Sequence, residues 1–142
     1  MVIYKGGPGE TNFLNVDLDI HSKSDLQPLV SALGKQVHVL WVGRLKTTYY
    51  AHLEVMKITK DADQTIRVFC ALIQELPRAE RKLWNQAKIR EFNIGVQGAA
   101  RPTAYEITLQ AETVRAAAEL GARIGFTIYG KLKTAPRAVR SS

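Results

Sequence analysis

The first long alternating stretch of the chain is Leu14-Asn15-Val16-Asp17-Leu18-Asp19-Ile20-His21, in which every second residue is apolar. Successive side chains of a strand point to opposite faces of its sheet, so this period of two predicts a strand with one buried and one polar face. The apolar face needs cover from other elements of the chain. The stretch therefore favours a sheet with helices packed on one side.

Helices and further strands follow from the same reasoning. Residues 24–33 and 61–76 place apolar side chains at helical spacing, and Asp61 stands three residues before Gln64, which is the spacing of an N-terminal cap. Pro77 ends the second helix and begins another, which reaches to about residue 88. A short alanine-rich helix is predicted at residues 112–120, and the other strands at residues 36–43, 47–58, 89–97, 103–109 and 123–129.

The resulting element order is βαββααββαβ. It predicts an α+β fold with a single, mainly antiparallel sheet of about six strands and helices packed on one face. Residues 36–43 are almost continuously apolar and are expected to form a central strand covered on both faces. The domain is predicted at residues 14–130, between a flexible leader at residues 1–13 and a basic tail at residues 131–142.

An internal repeat with an offset of 87 residues is a further hypothesis. It places residues 16–46 over residues 103–133 with six identities in 31 pairs, among them Gly34 over Gly121. If the segments are true copies, the fold contains two β-α-β halves related by a pseudo-two-fold axis. The alternative is that any two β-α-β units share glycines at the ends of their helices.

Composition excludes several classes of protein. Of the 142 residues, 46% are hydrophobic, which is too many for a disordered chain, and the single cysteine cannot form an internal disulfide or a thiolate zinc cluster. No apolar run approaches the roughly 18 residues of a membrane span, and the start lacks the apolar block of a signal peptide. We therefore expect a cytoplasmic protein with no membrane partner and no cofactor.

Acidic residues and histidines provide the candidate catalytic side chains. If the first and third strands are neighbours, the polar sheet face collects Asp17, Asp19, His52 and Glu54, together with His21. Such a group could supply a general base, or could hold a metal through His21 and His52. No histidine pair has metal-ligand spacing, so no metal is expected, and the alternative is a solvated sheet face with one half-buried histidine.

Positive charge is concentrated in two segments. Of the net charge of +7, the tail contributes +4 and residues 77–90 contribute another +4, so the rest of the chain sums to −1. The candidate anion-binding residues are Arg78, Arg81, Lys82, Lys88 and Arg90. At helical spacing Arg78, Arg81, Lys82 and Asn85 share one face, which could contact phosphates without reading bases. A solvated helix face is the favoured interpretation, and nucleic acid is not the favoured partner.

Three residues that could react with a ligand or stack on one are predicted to lie in the core instead. Cys70 stands on the apolar stripe of a helix, where nothing would stabilise a thiolate. Trp41 and Trp84 both fall at apolar positions of their elements, so we expect them to pack inside rather than to stack on a ligand.

The C-terminal part of the chain resembles a known family. The resemblance covers about the last 50 residues best and is carried by Phe92-Asn93-Ile94-Gly95-Val96, Tyr105-Glu106-Ile107-Thr108-Leu109-Gln110-Ala111-Glu112-Thr113-Val114 and Ala118-Glu119-Leu120-Gly121-Ala122-Arg123-Ile124-Gly125-Phe126-Thr127-Ile128-Tyr129. These segments are similar to the bacterial family known as domain of unknown function 4279, whose C-terminal half runs strand, strand, a helix ending in Leu-Gly and a strand closing on Ile-Tyr. That family has no established activity, and some members are thought to occur near toxin or immunity genes. The resemblance therefore implies a bacterial partner-binding module rather than an enzyme.

These observations favour a non-catalytic binding or protein-interaction module. Its partner would be another protein or a second copy of the chain in a homodimer, and toxin immunity is a related role. The first alternative is a small metal-dependent or acid–base enzyme that uses the polar sheet face. The second alternative is phosphate or nucleic-acid contact through residues 78–88.

Overall fold

The computed structural model describes residues 9–130, which form five strands, four α-helices and one short 3₁₀ helix. The elements are, in chain order, β1 (Asn12–Ser22), α1 (Gln27–Leu33), the 3₁₀ helix (Gly34–Gln36), β2 (Val37–Leu45), β3 (Thr48–Val55), α2 (Ala62–Gln74), α3 (Arg78–Gln86), β4 (Ile89–Gln97), α4 (Ala111–Glu119) and β5 (Arg123–Tyr129). β1 begins two residues before the predicted domain boundary. Residues 1–8 of the predicted leader and the whole predicted tail lie outside the described residues.

One mixed sheet contains all five strands, in the order β2-β3-β1-β4-β5. Three of its neighbouring pairs are antiparallel, whereas β4 and β5 are parallel. α4 lies between these two strands in the chain and provides the crossover that a parallel pair needs. The α+β class is thus confirmed, while the predicted count of six strands is wrong.

The alternation in β1 determines which face of the sheet is buried. Leu18 and Ile20 are fully buried, and Leu18 has Leu53 of β3 opposite it on one side and Phe92 of β4 on the other. α2 packs on this face, where the Phe69 ring stacks against that of Phe92 at 5.6 Å between centroids. The core is therefore a single layer between one face of the sheet and the helices.

α2 follows its sequence prediction closely. The Asp61 carboxylate accepts a 2.8 Å hydrogen bond from the Gln64 N–H, which caps the helix. Cys70 is buried on the apolar stripe of α2, and this burial raises the pKa of its thiol to about 11. The prediction that Cys70 packs in the core is therefore confirmed.

Residues 103–109 do not form the predicted strand. A strand here could not pair with β4, because β4 already has β1 on one side and β5 on the other. The segment is an irregular connection, and individual hydrogen bonds instead of a strand ladder join it and its end to other elements. The Tyr105 hydroxyl accepts a 2.7 Å hydrogen bond from the Phe13 N–H, and the Gln110 N–H donates to the Asp63 carboxylate at 2.8 Å.

The two segments of the proposed repeat also differ in structure. Residues 16–46 hold most of β1, then α1 and β2, whereas the second segment begins in the irregular connection. The parallel β-α-β unit with directly paired strands is β4-α4-β5, and the second segment lacks the first strand of such a unit. The pseudo-two-fold arrangement is therefore not present in the described part of the chain.

β2 is an edge strand, not the covered central strand that its apolar sequence predicts. Val37 is its one buried residue, while Leu40, Trp41 and Leu45 are 46%, 39% and 59% exposed. A bulge between Val39 and Trp41 shifts the register against β3 by one residue. The shift turns Trp41 to the face opposite the helices, so its prediction as a core residue is wrong.

A cluster of hydrogen bonds joins the ends of α3 and α4 to β4. Trp84 is fully buried, as predicted, and its indole N–H donates to the Leu120 carbonyl at 2.9 Å. The Arg90 guanidinium donates to the carbonyls of Trp84, Asn85 and Gly121 at 2.8 to 3.1 Å. Carbonyls at the C-terminus of a helix lack donors within the helix, and the Arg90 guanidinium provides donors at these helix ends. Gly121 has a φ of +74°, and a Cβ on it would lie 2.9 Å from Arg90 Nη2.

Arg90→Ala should lower the free energy of unfolding by about 2 kcal/mol, because three carbonyls lose a charged donor. Urea unfolding followed by circular dichroism measures the loss. Arg115→Ala is the matched control, since Arg115 is an exposed arginine of α4 and its removal should cost less than about 0.5 kcal/mol. Equal losses in the two variants would contradict the capping role of Arg90.

Candidate functional site

The candidate site lies on the face of the sheet that the described helices leave uncovered. Alternate side chains of the strands project there, and they are half-buried or exposed. We call this surface the open sheet face, and its central residues are Asp17, Asp19, His21, Trp41, Tyr50, His52 and Glu54. β1 and β3 are direct neighbours, so the condition on which the sequence prediction depends is met.

A histidine and a carboxylate form a close contact at the centre of this face. Asp19 and His52 are register partners, and 2.6 Å separates Asp19 Oδ1 from His52 Nδ1. The ring N–H donates to the carboxylate and thereby fixes the orientation of the imidazole. His52 Nε2 has no hydrogen bond to a residue between 9 and 130.

Carboxylates crowd together beside this pair. The Asn15 side-chain amide donates to Asp17 at 3.2 Å and also to Glu54. Burial, followed by the negative charges of Glu54 and Asp19, raises the pKa of Asp17 to about 6, against the opposing charge of His52. Like charges that share a site disfavour ionisation. At neutral pH the open sheet face therefore carries an excess of negative charge around Asp17.

Aromatic rings border the carboxylates. The rings of His21 and Tyr50 meet edge to face at 4.5 Å between centroids, and Trp41 lies 6.0 Å from Tyr50 and 6.3 Å from His52. Gly43 leaves room for the indole, since a Cβ there would lie 3.1 Å from Trp41 Cζ2. The carboxylates thus stand next to a row of partly exposed ring surfaces.

The side of the open sheet face formed by β4 and β5 is balanced in charge. Arg123 Nε donates to Glu91 at 2.6 Å, and the Asn93 amide donates to the same carboxylate at 3.0 Å. The Thr127 hydroxyl in turn donates to Asn93 at 3.0 Å. The excess negative charge is therefore confined to the part of the face formed by β1 and β3.

The predicted metal candidates do not converge on a metal site. Within residues 9–130, no group of three or more His, Cys, Asp or Glu side chains is arranged to hold a metal ion. The rings of His21 and His52 lie 6.3 Å apart between centroids. Burial, followed by the charge of His52, lowers the pKa of His21. What the face offers chemically is proton exchange or the binding of a cationic group.

The five predicted anion-binding residues fall into two groups. Arg78, Arg81 and Lys82 line one groove on α3. Lys88 lies beyond the end of α3, where its backbone N–H donates to β1, and Arg90 is held by the carbonyls of the helix ends. Arg90 thus has a structural role as a donor to three carbonyls, and its part in anion binding stays a prediction.

Sequence reasoning misses two aromatic residues of the site, Trp41 and Tyr50. Tyr50 alternates with His52 and Glu54 along β3, so the period of that strand was a signal that could have found it. Trp41 left no such signal. By strict alternation along β2, Trp41 would lie on the same face as the buried Val37. Only the bulge before Trp41 turns it to the open sheet face.

Comparisons with protein-family models, with curated proteins and with solved structures find no match for this chain. The resemblance to domain of unknown function 4279 therefore stays a prediction. Among the described residues, no helix is both long enough and apolar enough to cross a membrane.

Asp17→Asn should stabilise the protein at neutral pH and not at acidic pH. Because folding raises the pKa of Asp17 from 3.8 to about 6, its contribution to stability is complete below pH 3.8 and is lost as the pH rises through 6. After allowance for solvent screening, the variant should gain about 1 kcal/mol at pH 7.5, or about 4 °C in Tm. Thermal unfolding at pH 4 and pH 7.5 measures the difference.

Glu106→Gln provides the control, since Glu106 is an exposed carboxylate outside the open sheet face. It should change the Tm equally little at both pH values. A gain in the Asp17→Asn variant that is the same at pH 4 and pH 7.5 would show that crowding of carboxylates is not its cause.

Proposed function

We propose that this protein is a non-catalytic interaction module that binds basic side chains of a partner protein on the open sheet face. One observation carries the proposal. The carboxylates of Asp17, Asp19 and Glu54 stand beside the rings of Trp41 and Tyr50 on a surface that no described helix covers.

An arginine or lysine side chain suits both parts of this surface. Carboxylates attract its charge and accept its hydrogen bonds, and aromatic rings attract cations through their negative faces. The raised pKa of Asp17 supports this assignment, because a cation bound nearby would offset the burial and the repulsion by Glu54 and Asp19 that raise it. Binding of the cation and loss of the proton from Asp17 are therefore coupled.

β2 extends the proposed surface to the edge of the sheet. Within residues 9–130 the strand pairs with β3 on one side only, so no described strand bonds to its outward N–H and C=O groups. Leu40 and Leu45 are exposed on the same strand as Trp41. An edge strand with unpaired backbone groups and apolar side chains is a template for a strand of another protein.

A different protein suits the open sheet face better than a second copy of the chain. A symmetric dimer through this face would bring Asp17 and Asp19 of one copy toward the same carboxylates of the other, and like charges repel. The resemblance to a family with members near toxin or immunity genes points in the same direction. A toxin with a basic surface is one partner of this kind.

Titration with tetra-arginine, followed by NMR, tests the proposal. Of the two tryptophans, Trp41 is exposed and Trp84 is buried, so the indole signal of Trp41 should shift while that of Trp84 stays in place. Combined replacement Asp19→Asn and Glu54→Gln should weaken binding about tenfold, which corresponds to the loss of charged contacts. Binding should also tighten from pH 5 to pH 7.5 as Asp17 ionises.

Tetra-glutamate is the matched control peptide, and Glu106→Gln is the matched control variant. Tetra-glutamate should leave the Trp41 signal unchanged, and Glu106→Gln should bind tetra-arginine like the wild type. Equal shifts with both peptides, or shifts confined to residues outside the open sheet face, would contradict the proposal. Analytical ultracentrifugation of the free protein distinguishes peptide binding from self-association, because self-association would be seen without any peptide.

An acid–base enzyme is the second candidate function. It is favoured by the 2.6 Å contact between His52 and Asp19, which lies beside the carboxyl group of Asp17. The pKa of Asp17 of about 6 suits proton transfer near neutral pH. The test is an assay of the purified protein against a library of metabolites, repeated with His52→Ala and Asp17→Asn. We expect no turnover that depends on these residues, and turnover abolished by both substitutions would replace the first proposal with the second.

A further inference from the structure

A second charged surface lies on the helical side of the domain, away from the open sheet face. A groove of about 720 Å³ runs along α3 and is lined by Leu76, Arg78, Ala79, Arg81, Lys82 and Asn85. Its polar residues recur at intervals of three and four positions, which places them on one face of the helix. Trp84, on the same helix, is not among the residues that line the groove and is buried in the core.

The cations of this groove have no acidic partner among residues 9–130. Two other arginines of the fold are neutralised, in the pairs of Arg67 with Asp63 and of Arg123 with Glu91. The acidic residue of α3 is Glu80, which stands two positions from both Arg78 and Lys82, and two positions correspond to roughly 200° around a helix. Glu80 therefore projects away from the groove and leaves its positive charge in place.

Arg81 gives a sharper indication of what the groove binds. Its Nε is buried and has no hydrogen-bond acceptor among the described residues. A buried donor without an acceptor destabilises a folded protein, and the Arg81 side chain that carries this donor lines the groove. The orphaned N–H belongs to a guanidinium, whose paired donors match the oxygens of a phosphate group.

We propose that this groove binds a chain of linked phosphate groups through Arg78, Arg81 and Lys82, with the Asn85 amide as a further donor. Arg78 and Lys82 are separated by about 6 Å along the helix axis, so the cations extend over more than one phosphate group. No aromatic side chain lines the groove, and bases would have no ring on which to stack. Recognition is therefore of the phosphates alone.

This site is independent of the proposed partner-binding function. The groove shares no residue with the open sheet face, and the sheet and its core separate the two surfaces. Either site can therefore fail its test without affecting the result at the other.

Inorganic tripolyphosphate is the probe for this site. Amide NMR signals of residues 78–85 should shift on titration, and the apparent affinity should fall steeply between about 50 and 200 mM salt. The double variant Arg81→Gln and Lys82→Gln should weaken binding at least fivefold. It should fold like the wild type by circular dichroism, since neither side chain has a partner among the described residues that it would leave unsatisfied.

Arg115→Gln is the control variant, because it removes one exposed arginine from α4 and leaves the groove intact. It should bind tripolyphosphate within a factor of about 1.5 of the wild type, since one distant charge is largely screened. The inference is overturned if the α3 signals do not shift, if they shift equally in the double variant, or if sodium sulfate at the same ionic strength produces the same shifts.

The source of the phosphates is identified by competition. A single-stranded oligonucleotide of mixed sequence is added to the complex with tripolyphosphate. Displacement with shifts at residues 78–85 assigns the site to a nucleic-acid backbone, and failure to displace assigns it to free or small-molecule phosphates. Both results support a phosphate site and differ only in its natural ligand.

Discussion

Every second side chain of β1 must find apolar cover, and the arrangement of the other elements follows from how that requirement is met. β1 lies at the centre of the sheet, where Leu18 is buried between Leu53 and Phe92 and under α2. The same alternation directs Asp17 and Asp19 to the other side of the strand. Core and candidate site are thus the two faces of one element, and a slip of one residue in its register would exchange them.

Side-chain direction along a strand is a local property, and this explains how much of the site is visible in the sequence. The periods of β1 and β3 alone bring Asp17, Asp19, His52 and Glu54 to one face once the strands are neighbours. The cap of α2 is local as well, since Asp61 bonds to a backbone group three residues away. Such features depend on a few residues that are close in sequence, so the sequence pattern is sufficient to predict them.

Other features depend on which elements meet, and the sequence pattern does not contain that information. The apolar run of β2 is the same for a central strand as for an edge strand, and the bulge before Trp41 leaves no mark in the alternation. Residues 103–109 alternate like a strand but find no free side of β4 to pair with. Arg90 belongs by sequence to a basic segment, yet one of its acceptors, the carbonyl of Gly121, lies 31 positions away. Because such contacts depend on the fold, a single basic segment of the sequence contains both structural cations and cations that face solvent.

The central position of β1 also governs the time course of folding. Leu18 meets a partner 35 positions later in Leu53 and another 74 positions later in Phe92, so both of its pairings close long loops. Pairings over such separations form slowly compared with local hairpins. On the ribosome, β1 emerges before any of its neighbours and keeps one open edge until β4 has been synthesised. The first of the five described strands to be made must therefore wait for two strands that lie far along the chain, and for much of synthesis it depends on staying soluble while incomplete.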